Sequence, residues 1–212
     1  MATEKQIPKL AGIITEHQSG FAALSTEDVD WAIKNGHDTV ALFVSAVKNR
    51  ARIIINKLLE FVTQVRVDAV KQFITADRFK AGQTIDGVKY HSSFGDNFNL
   101  HFLPKIEGDV QAVDLQVHKL LQNSKDLGIR TEIGEDKEET KLAHLHHLLT
   151  LQGNGEKGVL LTNGYANIFY IRGIDGNLWA VHARWYDGGW YLGADSVGCS
   201  DGWDAGRQVF SR

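Results

Sequence analysis

The sequence holds one cysteine, Cys199, in 212 residues. A single thiol excludes an intrachain disulfide and any zinc site built from several cysteines. No apolar run approaches the ~18 residues that a helix needs to cross a bilayer, which argues against a membrane protein. A basic excess is also missing. Against 26 Asp and Glu stand 23 Lys and Arg, a formal charge of −3, so nothing points to nucleic acid as the partner. No glycine stretch leads into a Lys-Ser/Thr pair, which excludes the standard phosphate loops. The opening "MATEKQIPKLAGIITEHQSG" lacks the basic start, apolar middle and small-residue cleavage site of a secretory signal. A cytoplasmic home is the expectation.

What is present suits a globular chain of one large or two small domains. Hydrophobic residues make up 43%, enough for a core at this length. Residues 1–76 read as helical. Ser25, Thr26 and Asp28 are cap candidates for a short helix ending near Gly36, and Asp38 can cap a longer one. From Val40 the apolar residues step by four and three through Val44, Val47, Ala51, Ile54, Leu58, Phe61 and Val65. This heptad pattern predicts a long helix over Val40–Val65, a surface for a protein partner or for homo-oligomers.

After about residue 77 the texture changes, and 77–212 reads as a β-rich α+β domain. Asp86-Gly87 and Gly95-Asp96 are turn candidates in a segment with one or two strands. Asp109–Gln122 has helical apolar spacing, although its middle, "VDLQV", alternates like a strand. "GEDKEETKLAHLHHLLTLQGNG" predicts a helix with Leu142, Leu145, Leu148 and Leu149 on its buried stripe. Then "NIFYIR", "LWAVHARWY" and "WYLGADSV", separated by Asp175-Gly176 and Asp187-Gly188-Gly189, predict an antiparallel meander, and "RQVFSR" adds a fourth extended piece. The expectation is an α+β fold: an N-terminal helical region, then an antiparallel β-meander or small barrel with one or two helices.

Alternation along "LWAVHARWY" puts Trp179, Val181, Ala183 and Trp185 on one face, and Ala180, His182, Arg184 and Tyr186 on the other. Trp185 and Trp190 flank the turn and fall opposite one another as a cross-strand pair. Their apolar neighbours favour core packing, but aromatic side chains at a sheet edge also stack on glycans or peptides. The residues that offer stacking and planar hydrogen bonds near turns are Tyr165, Asn167, Tyr170, Arg184, Trp185, Tyr186, Trp190 and Trp203.

Catalytic and metal-binding alternatives are thinner. His144 and His147 lie three apart on a helix, a spacing that can share a metal, but no acidic residue sits one turn away. Cys199 with His182 or His101 as base would suit a thiol hydrolase. The histidine strand followed by an aspartate strand has the rhythm of papain-like folds. In those enzymes, however, the cysteine precedes the histidine. The aspartates 175, 187, 195, 201 and 204 suggest carboxylate chemistry centred on Asp195, yet two of them occupy turns that favour Asp anyway. No cofactor is called for.

"GVLLTNGYANIFYIRGIDGNLWAV", the Trp-x4-Trp spacing of "WYDGGW" and the terminal "QVFSR" together resemble a group of small hypothetical proteins from uncultivated bacteria with reduced genomes. The likeness covers roughly residues 80–212 and is strongest from 158 onward. It implies a bacterial protein whose C-terminal sheet is a reusable unit behind variable helices, and it supplies no activity. Taken together, the residues predict a non-enzymatic binding protein. Its helical part would serve assembly, and its aromatic-rich sheet would carry the ligand or partner surface. A small hydrolase and a purely structural assembly protein are the competing readings.

Overall fold

A computed structural model describes residues 25–55, 57–199 and 201–212, with side chains at all of these except 28 and 48–55. The chain divides into two compact units, 1–56 and 57–212. In the first, α1 (Thr26–Lys34) and α2 (Gly36–Ile55) are joined at Asn35. The Thr39 hydroxyl fastens the junction by donating to the carbonyls of Ala32 at 3.0 Å and Asn35 at 3.1 Å.

The heptad helix predicted through Val65 is corrected here. Helix α2 ends at Ile55, and Leu59–Val67 is strand β1. The stretch is rich in β-branched residues (Val62, Thr63, Val65 and Val67), which favour the pleated backbone, and β6 offers it a partner over its whole length. Of the heptad positions, Ala51 and Ile54 have side chains outside the described residues.

The second unit is built on a six-stranded sheet in the order β1-β6-β10-β7-β8-β9. Its members are β1, β6 (Val113–Leu120), β7 (Asn167–Arg172), β8 (Leu178–Tyr186), β9 (Gly189–Ser196) and β10 (Gln208–Ser211). The meander β7–β8–β9 is present as the sequence predicts. Only β10 against β7 runs parallel, so the sheet is mixed and open, and the small-barrel alternative is not what forms. The helical reading of Asp109–Gln122 is also corrected: β5 (Ile106–Val110) pairs with β2 (Val70–Ile74), and β6 lies between β1 and β10. A two-strand ribbon, β3 (Thr84–Ile85) with β4 (Val88–Lys89), completes the strands among the described residues.

Turn chemistry explains both tight hairpins. At β3–β4 the two loop residues are Asp86 (φ 50°) and Gly87 (φ 81°), and at β8–β9 they are Asp187 (φ 47°) and Gly188 (φ 72°). Two successive left-handed residues match the strand twist, which is why Asp-Gly occurs at both.

Helices cover both faces of the sheet. On one face lie α3 (Thr75–Arg78), α4 (Asp96–His101) and α7 (Leu142–Thr150), where Phe79, Phe98, Phe102 and the four predicted leucines of α7 pack against Val117, Phe169, Val181, Leu192 and Phe210. On the other, α5 (Asp126–Ile133) and the loop carrying Trp203 cover Leu120, Ile168, Tyr170, Ala180 and Val209. Short α6 (Glu135–Glu138) leads back towards β10, and Arg130 ties it to α5 with two hydrogen bonds of 2.8 Å to Glu138. This second face is where the polar groups gather.

Candidate functional site

Strand alternation sets up the site. Val181, Ala183 and Trp185 of β8 join the first core, with Trp190, Leu192 and Ala194 of β9. His182 and Arg184 of β8 therefore face the opposite side, with Tyr191, Gly193 and Asp195 of β9. His182 is paired with Gly193 across the ladder, and only glycine fits: a Cβ there would stand 2.5 Å from His182 Cε1. The space so opened lets His182 Nε2 reach within 3.4 Å of Asp195 Oδ2. Burial holds the imidazole below its usual pKa and therefore neutral, while the contact with His182 holds the Asp195 carboxyl below the usual carboxylate range.

After β9 the chain folds back over this face. Trp203 pairs with Ser124 through two backbone hydrogen bonds of 2.8 and 3.0 Å, which lays its indole across His182 at a ring separation of 5.6 Å. Trp203 Nε1 donates to Asp126 Oδ1 at 2.8 Å, and the Tyr170 hydroxyl donates to the same oxygen at 2.8 Å. Burial raises the Asp126 pKa despite those two donors. Arg207, four residues on from Trp203, lies between its ring and that of Tyr165, with its guanidinium carbon 5.9 and 5.6 Å from the two centroids.

A pocket of about 200 Å³ results, lined by Asp126, Arg184, Asp195, Cys199, Asp201, Gly202, Trp203 and Arg207. Its two guanidiniums each have a buried, unbonded Nε but differ in ion pairing. Arg207 Nη1 lies 2.8 Å from the exposed Asp204 carboxylate. Arg184 is half-buried, its Nε is inaccessible and unbonded, and the side chain makes no hydrogen bond or ion pair with any described residue. Desolvation and the nearby Arg207 both lower its pKa. A half-buried cation of this kind is costly unless something anionic meets it.

The residues named from sequence separate accordingly. Arg184 and Trp203 line the pocket, and Tyr165 packs on Arg207 beside it. Tyr186 is exposed near the β8–β9 turn, against His91. Asn167, Tyr170 and Trp190 are fully buried, with their polar atoms used inside the protein. Asn167 clamps the backbone of Leu161 from both sides, and Trp190 Nε1 donates to the Gln152 carbonyl at 2.8 Å. Trp185 is half-buried against Trp190 on the first core, away from the pocket.

Of the catalytic candidates, Cys199 and Asp195 line the pocket, whereas His182 lies beneath it with Nδ1 buried and unbonded. His144 is buried on α7, and its Nδ1 accepts the Lys141 backbone N–H at 3.2 Å; His147 is half-buried on the same helix. Among the described residues, no group of three or more His, Cys, Asp or Glu is placed to hold a metal. Asp126 and Arg207 belong to the site but carry no local signal of it. Asp126 reads as an ordinary acidic helix start and Arg207 as a strand flank.

A larger groove of about 490 Å³ runs between the β5–β6 connection and the start of α7. Its Lys and Arg side chains already have partners: Lys105 meets Glu107 at 3.0 Å, Lys141 meets Glu139 at 2.8 Å, and Arg212 donates to the Asp136 carbonyl at 3.2 Å. The smaller pocket, with its unmatched cation, is the better candidate. Among the described residues, no helix is long and apolar enough to cross a membrane. Comparison with protein-family models, curated proteins and solved structures returned no match.

Proposed function

We propose that this α+β protein is a non-enzymatic binding protein whose ligand places an anionic group on Arg184 and Arg207. The observation that carries the reading is the Arg184 guanidinium, half-buried in a pocket wall without an ion pair or hydrogen bond among the described residues. Two guanidiniums side by side repel one another and hold a carboxylate well, since each offers a planar fork of donors. Trp203 and Tyr165 supply the apolar floor beside them. What favours binding over hydrolysis is that His182 contributes nothing to the wall that Cys199 lines.

The test is a ¹⁵N NMR titration of the full chain with acetate and with N-acetylglycine, read at the Trp203 indole. Arg184→Ala should weaken binding by about tenfold or more, the worth of one charge-assisted hydrogen bond. Equal binding by wild type and Arg184→Ala, or no response to any carboxylate, sinks the reading.

Assembly is the second part of the proposal. Val40, Val44 and Val47 fall on α2 with the predicted spacing and are exposed at 61%, 41% and 49%. A second copy of the chain is the partner we assign to that stripe. Light scattering checks it: Val44→Asp with Val47→Asp should reduce the particle to a monomer, and a wild type already monomeric at high concentration rules it out.

A further inference from the structure

Two opposite charges face the same pocket without meeting. Arg184 and Asp195 project from adjacent strands to one side of the sheet, and each favours the ionised form of the other. No ion pair joins them, even though both line a pocket of only about 200 Å³. The ladder explains why. Arg184 stands opposite Tyr191 and Asp195 opposite Ala180, so the two backbone positions are four residues apart along β9, roughly 13 Å.

The two guanidiniums lie near one another, with the Arg207–Asp204 ion pair beside them. Arg207 is close enough to Arg184 to lower its pKa, which makes one basic end. At the other, Asp195 keeps its charge: its neighbour His182 is neutral, and its side chain is 51% exposed with one oxygen directed away from that contact. Asp126 and Asp201 also line the pocket, and Asp126 Oδ1 already accepts from Trp203 and Tyr170. A ligand with only an anionic group would satisfy Arg184 and leave Asp195 facing it across the shared pocket. A ligand carrying both signs satisfies the two ends together. The volume equals that of about seven waters, which suits one small molecule rather than a folded segment.

We infer that the ligand is a zwitterion of amino-acid size, its carboxylate on Arg184 and Arg207 and its ammonium towards Asp195. This rests on the reading of the pocket as the ligand site, and the test separates the two. The probes are the free amino acids, each beside its N-acetyl and its C-amide form, titrated against ¹⁵N-labelled full-length protein with the Trp203 indole as reporter. At least one free amino acid should bind, with the N-acetyl and amide forms each about tenfold weaker or worse. Asp195→Asn, which keeps an acceptor for His182, should abolish the preference for the free amine and leave the affinity for the N-acetyl form unchanged. If free and N-acetyl forms bind equally in the wild type, and Arg184→Ala weakens both, the zwitterion is wrong and the anion site stands. If no carboxylate binds, both fall.

Discussion

Trp185 and Trp190 stand directly opposite one another across the β8–β9 hairpin, their rings edge to face at a centroid distance of 5.5 Å and an angle of 71°. The pair is a packing device. Trp190 has no exposed surface, and its one polar atom is bonded to Gln152, so the indole is held at both its apolar and its polar end. Replacing it with alanine should cost about 3–5 kcal/mol, the usual range for a large aromatic in a core. Trp190→Phe keeps most of the ring contact and loses the hydrogen bond, so it should cost clearly less. Urea unfolding of both variants checks the ordering, and equal losses would mean that ring packing is not what Trp190 contributes.

That pair shows which features were readable. The Asp-Gly turn is encoded in adjacent residues and fixes the register, so alternation places Trp185 opposite Trp190 and sends Arg184 to the far face. By contrast, the apolar spacing of Val110, Val113, Val117, Leu120 and Leu121 suits a helix. It becomes a strand because β1 and β10 flank it, and those lie about fifty residues before and ninety after. Phe61 and Val65 misled in the same way: a heptad is a local pattern, whereas the pairing partner of β1 is distant. The pocket mixes both kinds of information. Arg184, Asp195, Cys199 and Trp203 could be named singly, but Asp126 and Arg207 reach it only through tertiary folding. Tyr170 was expected to face a ligand, yet its hydroxyl turns inward to Asp126.

Helix α7 has no serine, threonine or aspartate at its N-cap position, which is Lys141. A residue from β5 supplies the missing acceptors instead. Glu107 accepts the backbone N–H of Leu142 at 3.1 Å and of Ala143 at 3.0 Å, while Lys105 stands 3.0 Å from the same carboxylate. Glu107→Ala leaves two buried donors unmatched and removes the counter-charge of Lys105, which keeps its hydrogen bond to the Arg172 carbonyl, and should cost about 3 kcal/mol or more. Glu107→Gln retains one good acceptor and should fall between. Hydrogen exchange at Leu142 and Ala143 gives the site-specific check. If those amides stay protected in Glu107→Ala, the capping role is wrong.

Buried histidines set the acid limit. Burial lowers the pKa of His144 and of His146 to about 4, and His118 and His182 shift in the same direction for the same reason. His146 lies 5.4 Å from the Phe73 ring and 5.6 Å from Phe79. Its Nε2 is 3.4 Å from Asp86, whose charge opposes the shift, while Arg78 and His147 reinforce it. In the unfolded chain these rings take up a proton near pH 6.5, but in the folded protein His144 and His146 do so only near 4. Between those values the unfolded state binds more protons, so stability is complete above pH 6.5 and declines as the pH falls towards 4. From pH 7 to 5, before most carboxylates titrate, each of the two rings should remove about 2 kcal/mol. His146→Leu keeps the apolar contact with both phenylalanines and deletes one titrating group. Its urea midpoint should therefore fall less steeply over that interval, by about one ring's share. An identical pH dependence in wild type and variant would show that His146 is not held neutral by its burial between the two phenylalanines.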